Sequence, residues 1–187
     1  MKKEQKILAD LKDVFEISGK VKAEKRISIK TDKKHVSSIL LYLKTQKGYI
    51  HLNHISCVDF IEDNEFEMVY IIWNPKTKLT VLVHTRIDRK NPKMENIDAI
   101  WDQANTYERE IREMFGIHFP GLKGRKEFIL EDWQDIPPMR KDFDTQLYAI
   151  EHFHSRPGRE DAQNVREAIQ QRSKEEIPEF AKKYSRD

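Results

Sequence analysis

Cysteine is the first thing this sequence is short of: Cys57 is the only one in 187 residues. A single thiol excludes an intrachain disulfide and any cluster site built from this chain's cysteines alone. It points to a reducing, cytosol-facing location. Long hydrophobic runs are missing too. No stretch approaches the roughly 18 apolar residues that a membrane span needs, and Asp10 and Lys12 interrupt the first apolar positions, so no secretory leader is expected. Glycine is sparse at six. Gly116, Gly121 and Gly124 follow a helical stretch rather than a strand and lack the spacing of a phosphate loop, which argues against nucleotide binding. Net charge is small, +2, yet residues 1–47 hold thirteen Lys/Arg against six Asp/Glu and leave −5 to the remainder. A basic first third is compatible with nucleic acid, a membrane surface or an acidic protein and selects none of them. Its aromatics, Phe15, Tyr42 and Tyr49, are spaced as core residues rather than as a stacking platform.

What the chain does have is 38% hydrophobic and 35% charged residues over a length that suits one well-filled domain. Its strongest pattern is Ile100 to Phe119, where Ile100, Ala104, Tyr107, Ile111 and Met114 share an arc of a helix, with Phe115 at its edge. Burying the five large side chains of that set is worth about 7–15 kcal/mol gross. The pairs Glu108–Arg112 and Arg109–Glu113 are expected on its exposed flanks, at about 0.2–0.5 kcal/mol each. Gly116 fits the left-handed stop.

Upstream, the spacing predicts a helix over 4–17 closed by Gly19, a strand over 21–30, and a helix over 33–46. That second helix would be capped by Thr31 or Asp32, would bury Val36, Ile39, Leu40 and Leu43, and would stop at Gly48. Three strands follow. The first, 49–61, is long enough that it must bend or bulge. The second, 66–73, is apolar on both faces at several positions and so belongs inside the sheet. The third runs over 79–87.

The expected fold is α+β, a mainly antiparallel sheet with helices on one face, followed by an extended arm and a C-terminal tail with a helix. The expected divisions are a core domain 1–119, an arm 120–143 broken by Pro120, Gly121, Gly124, Pro137 and Pro138, and a docking tail 144–187. In that tail a helix is expected over 159–173.

Catalytic constellations are weak. Glu108 and Glu110 lie two apart on a helix and diverge, so they do not form an acid/base pair. His51 and His54 point to opposite faces of a strand unless it bulges, while His152 and His154 can converge but lack an evident third ligand. Cys57 reads as a small core residue with no activating neighbour. Arg140-Lys141-Asp142-Phe143, after Pro137-Pro138, is a compact charged cluster on a segment that needs something to lie against.

One resemblance ties these features together. Trp101, Ala104, Asn105, Tyr107, Glu108, Arg109, Glu110, Met114, Phe115, Gly116, Ile117, Phe119 and Gly121 resemble the signature of the 30 kDa subunit family of respiratory complex I, the C subunit of bacterial NADH dehydrogenase. The match resumes at Glu131, Asp132, Trp133, Pro138, Arg140, Lys141, Asp142 and Phe143, and covers about residues 48–143. The same family supplies related membrane-bound hydrogenases and other energy-converting oxidoreductases. Residues 121–130 depart from the family's usual G-H-P-D-L-R-R-I-L, leaving the NADH dehydrogenase, hydrogenase-like and sulfur-reducing branches open.

The resemblance implies a peripheral, non-catalytic scaffold on the cytoplasmic side of a membrane-bound, ion-pumping oxidoreductase, with no active site of its own. It implies no cofactor in this chain; iron–sulfur clusters, with a NiFe-type or quinone site, would reside in partner subunits. The implied partners are a large catalytic (49 kDa or hydrogenase-large-like) subunit, a small iron–sulfur subunit and a ferredoxin-like subunit, with the membrane reached only through the complex and no nucleic acid. The implied subunit interface is Glu108, Arg109, Glu110, Phe115, Gly116, Trp133, Arg140, Lys141, Asp142 and Phe143. Two other readings stay open: a small metal-dependent hydrolase using His152 and His154, and a nucleic-acid-binding module using residues 1–47.

Overall fold

The computed structural model describes residues 2–124 and 127–153. The expected helix at 159–173 and His154 lie outside them. The chain divides into two compact units, Met1–Phe143 and Asp144–Asp187. The arm is part of the first.

The first unit begins with α1 (Lys3–Val14), followed by β1 (Ser18–Ala23) and β2 (Arg26–Lys30). The single strand expected over 21–30 is therefore a hairpin. Its turn carries Lys25 at φ 58°, a left-handed residue of a type that seldom marks turns, so composition holds no signal for it. Gly19 does not end α1, which stops at Val14. It lies inside β1, where an added Cβ would sit 2.9 Å from both Leu8 Cδ1 and Ile29 Cγ2. The glycine lets the helix lie close against the strand.

Asp32 caps a 3-10 turn, accepting the Lys34 N–H at 3.0 Å, and α2 (Val36–Lys47) follows. All four residues of its expected apolar face are buried, and Gly48 ends it at φ 74°. Then come β3 (His51–Phe60), β4 (Glu65–Asn74) and β5 (Leu79–Asp88). The expected irregularity in β3 is a register shift between Leu52 and His54, which puts Leu52 and Ile55 on the same side.

The sheet order is β1-β2-β5-β4-β3, antiparallel except for β2 beside β5. As its composition requires, β4 is interior. Leu11 of α1, the α2 face, and Ala104, Ile111 and Phe115 of α3 (Ala104–Phe115) form one cluster with the inward sheet residues, so these helices bury a shared core against the sheet.

The key helix starts later than expected, at Ala104 rather than Ile100. Residues 97–104 form consecutive turns, with the Ile100 and Trp101 N–H groups both reaching the Ile97 carbonyl. Side chains explain the delay. The Trp101 indole N–H donates to the Ile50 carbonyl at 2.9 Å, and Gln103 bonds the Leu52 carbonyl, pinning this crossing to the start of β3. Lys44 of α2 donates to the Ile100 carbonyl.

In the second unit, α4 (Thr145–His152) is capped by Asp144, whose side chain accepts the Gln146 and Leu147 N–H groups. Leu147, Ile150 and Phe153 recur at three-residue spacing and are all exposed. So short an apolar set gives little periodic signal, and the helix is absent from the sequence expectations for that reason.

Candidate docking site

The arm is the functional candidate, and α3 is what positions it. Helical periodicity puts Glu108 on a flank, paired with Arg112. The structure places it in the interior. Ala104, Glu108, Ile111 and Phe115 are the buried stripe, and Glu108 has no exposure at all. Tyr107 and Met114, expected at its centre, are only partly buried and lie at its margin.

The correction has a local cause. The 97–104 crossing runs beside this helix, and the Ile97 N–H needs an acceptor away from water; Glu108 Oε1 supplies it at 2.8 Å. Burial, opposed by that bond, pushes the Glu108 pKa up to about 7.

Neither expected flank pair forms. Arg109 donates to the Glu127 carbonyl at 3.2 Å and its guanidinium lies 5.7 Å from the Phe128 ring centre. Arg112 reaches the Gly124 carbonyl at 3.5 Å. Glu113 takes three successive backbone N–H groups of the arm: Phe128 at 2.6 Å, Ile129 at 2.7 Å and Leu130 at 2.9 Å. Against the upward push of burial, these donors hold its carboxyl below the ordinary glutamate value. Glu110 is half-buried on the other flank. The outer side of α3 therefore binds the arm's backbone instead of pairing its own charges.

A second set of contacts holds the far end of the arm. Arg140 donates through Nε to the Phe115 carbonyl at 2.7 Å and lies 5.3 Å from the Phe66 ring centre. Phe66 in turn meets Phe115 edge to face, with centroids 6.1 Å apart. Gly116, at φ 75°, leaves room for this: an added Cβ would be 2.9 Å from Arg140 Nη2 and 3.0 Å from Pro137 Cγ. The Met139 N–H donates to the Met114 carbonyl at 3.0 Å.

Beside them, Asp59 binds Arg89 in bidentate fashion, at 2.9 and 3.1 Å, and accepts the Lys141 N–H at 2.9 Å. Arg89 Nη2 also takes Asp142 at 2.6 Å. Asp59 raises the Arg89 pKa first and Asp142 adds to it, while Arg89 holds the Asp142 carboxyl below its usual range. Trp133 donates to the Ile136 carbonyl at 3.0 Å and packs on Phe143, with centroids 5.5 Å apart.

Most of the expected interface residues are thus used within the chain. Glu108 is in the core. Phe115, Gly116, Arg140, Lys141 and Asp142 fasten the arm from behind, and Trp133 and Phe143 brace it. Three apolar side chains face outward, Ile129 at 65% exposed, Met139 at 58% and Ile136 at 39%, among the exposed polar residues Glu127, Glu131, Asp132, Gln134 and Asp135.

Sequence reasoning missed Asp59, Arg89 and Glu113 as anchors. A signal existed for Asp59, which continues the inward set Ile55, Cys57 of β3; a carboxylate at such a position demands a buried cation. Glu113 carried no comparable signal, because its partners are backbone groups.

Among the described residues, the histidines do not assemble. His51 lies beside Trp73 at 5.5 Å, His54 beside Tyr107 at 5.0 Å, and His152 stacks on Tyr148 at 4.1 Å. Cys57 is buried, and its thiol pKa is pushed up by burial and by Asp59. Among the described residues no group of three or more His, Cys, Asp and Glu is placed to hold a metal, and no helix is long and apolar enough to cross a membrane.

Known proteins resemble this chain in sequence and in fold. The C subunit of NADH-quinone oxidoreductase from Moorella thermoacetica is 32% identical over 109 residues, which is 58% of this chain and 74% of that protein. The second C/D subunit of NADH-quinone oxidoreductase from Aquifex aeolicus is 32% identical over 109 residues, but the match spans only 18% of that longer chain. A chain in the structure of the membrane-bound sulfane sulfur reductase, an archaeal respiratory membrane complex, superposes with a TM-score of 0.75 at 29% identity, covering 81% of this chain and 92% of that one. The family model for the respiratory-chain NADH dehydrogenase 30 kDa subunit matches residues 29–149, from the end of β2 through α2, β3 to β5, α3 and the whole arm. With the sequence signature seated where it fastens that arm, the chain belongs to the 30 kDa subunit family of respiratory-chain NADH dehydrogenase.

Proposed function

We propose that this chain is a non-catalytic peripheral scaffold of a membrane-bound oxidoreductase, and that the outward face of its arm docks a large catalytic subunit. One observation carries the reading. Ile129, Ile136 and Met139 are exposed on a segment whose backbone is tied down by Glu113, Arg140 and the Asp59–Arg89–Asp142 set. Exposed apolar side chains on a rigidly held backbone lose little entropy on binding, which is what a permanent interface needs. Their signature neighbours act indirectly: Arg140, Lys141 and Asp142 shape the arm, and the apolar residues make the contact.

The partner identity draws on the relatives. In the Aquifex aeolicus relative the matching region is part of a polypeptide whose name joins C with D, so the D-type subunit is the natural neighbour. Iron–sulfur clusters and the substrate site, NiFe-type or quinone, are assigned to that neighbour and to the small iron–sulfur and ferredoxin-like subunits. Attachment to the cytoplasmic side of the membrane then comes through the complex.

The test is the double substitution Ile129→Asp and Met139→Asp. Both side chains are exposed, so the free protein should keep its circular dichroism and its melting behaviour. It should, however, be lost from the complex on affinity purification of the large subunit. Normal recovery of the double variant in the complex would sink the proposal.

A further inference from the structure

Glu108 has no task in that docking scheme, and its surroundings are unusual for a carboxyl group. It is wholly buried. Oε1 accepts the Ile97 N–H, and Oε2 has no partner among the described residues. The groups around it, taken element by element, offer no compensating cation there. On α3, Arg109 and Arg112 are turned to the arm, bonding the Glu127 and Gly124 carbonyls, and Glu110 is acidic. On the crossing, Asp98 acts against ionisation and is itself paired with the exposed Lys123 at 3.3 Å, and Glu95 is tied to the Ser37 hydroxyl of α2 at 2.5 Å. From α2, Lys44 is committed to the Ile100 carbonyl and lies over the Trp101 ring at 5.3 Å.

The facing sheet presents Tyr70 on β4, Cys57 on β3 and Thr85 on β5, all inward and buried. The Tyr70 and Thr85 hydroxyls also lack partners among the described residues. Burial pushes the Tyr70 phenol up, and the Glu108 carboxylate pushes it further, so the two groups feel each other across the core. A neutral acid, with one O–H among unpaired hydroxyls, suits this space; a carboxylate with a single N–H donor does not.

We propose that Glu108 is a proton-binding site that latches the 94–103 crossing: protonated and neutral, it stays buried with the crossing closed over it, and ionised, its need for water favours release although the Ile97 N–H bond alone would hold a carboxylate. The proton leaves to bulk water, and the charged carboxylate is hydrated only if the crossing lifts. Met94, Ile97 and Trp101 are buried in sequence along the crossing, so its release exposes all three together and the closed form predominates. Beyond Glu108 it is held by the Met94 N–H on the His118 carbonyl, by the Ser37 hydroxyl on Glu95, by the Lys123–Asp98 ion pair at 3.3 Å, and by single side-chain bonds at Ile100, Trp101 and Gln103.

The direction follows from linkage. A carboxyl whose pKa is higher closed than open binds more protons closed, so closure weakens as pH rises between the two values. With an ordinary value of 4.5 open and about 7 closed, opening rises toward tenfold per pH unit between them and levels off above the upper one. The full span is on the order of a few hundredfold.

The experiment uses the full-length chain. Carbon-detected NMR follows the Glu108 side-chain carboxyl from pH 4 to 9, and amide exchange at Ile97 is recorded over the same range. The expected result is a carboxyl midpoint near 7 and an Ile97 opening constant that climbs up to neutrality and then flattens. Glu108→Gln should abolish the climb, and Glu110→Gln should leave it intact. A Glu108 midpoint at or below the ordinary value overturns the proposal, and this reading stands even if Glu108→Gln fails to fold. So does a raised midpoint with pH-independent Ile97 opening, an unchanged slope in Glu108→Gln, or a slope lost in Glu110→Gln.

Discussion

The sheet domain and the arm are held by opposite physics. In the sheet domain, apolar side chains from three helices close on one face of the sheet, and the interior is filled by Leu, Ile, Val, Phe and Tyr. In the arm, Ile129, Ile136 and Met139 are exposed, and the segment is held to the protein by backbone N–H groups and by the Arg140 and Asp142 side chains. The first region is fixed by burial, which is non-directional and tolerant of exchange. The second is fixed by directional bonds, which set one path for the chain and leave its apolar surface available. A segment without its own core can be well placed if a neighbour satisfies its backbone.

The largest test of this contrast is Arg89, a side chain that serves both regions. Arg89→Ala leaves Asp59, only 4% exposed, as an uncompensated interior charge, and an unfolding loss of about 3–5 kcal/mol is expected. Urea denaturation measures it, and the companion Arg89→Met/Asp59→Leu should recover most of the loss. A cost below about 1 kcal/mol for Arg89→Ala would mean that the arm and the sheet are not joined through this pair.

A smaller effect separates the regions. Glu113→Gln keeps a single acceptor oxygen, so the Ile129 and Leu130 bonds become ordinary ones and the Phe128 bond on the other oxygen is lost, at about 1–3 kcal/mol, confined to the arm. Amide exchange at Phe128, Ile129 and Leu130 should quicken while the global unfolding midpoint hardly moves. The wild type should show the same separation with pH. The folded pKa of Glu113 is depressed, so its contribution is present above the ordinary value of 4.5 and is lost as pH falls through the lower folded value. Exchange at those three amides between pH 6 and 3 shows this, and no change there would remove Glu113 as the anchor.

The two regions also differ in legibility. The α2 face, the irregular β3, the interior place of β4 and the stop at Gly116 all follow from periodicity and turn chemistry, which are local. The β1–β2 hairpin escapes because Lys25 adopts a left-handed turn without glycine or asparagine to announce it. Glu108 escapes because polarity reads as exposure, whereas the acceptor it supplies is required by a backbone group eleven residues earlier. The resemblance singles out Arg140, Lys141 and Asp142 as interface residues, but what they touch within the chain, Phe115, Asp59 and Arg89, lies far away in sequence. Nothing local encodes such pairs.

The parallel pairing of β2 with β5 has a consequence for the order of assembly. Ile27 pairs with Val81, so the N-terminal hairpin can find its place only after α2 and the β3–β4–β5 meander have been made. Closing so long a loop is entropically slow, whereas the meander is joined by short turns and is topologically near at hand. On a ribosome, the basic first third would emerge early and wait, its lysines guarding the open edge of β2 until β5 arrives. Pulse-labelled refolding should find protection at Tyr70 and Val83 before Ile27 and Ile29; simultaneous protection would show that the sheet is not built from its meander outward.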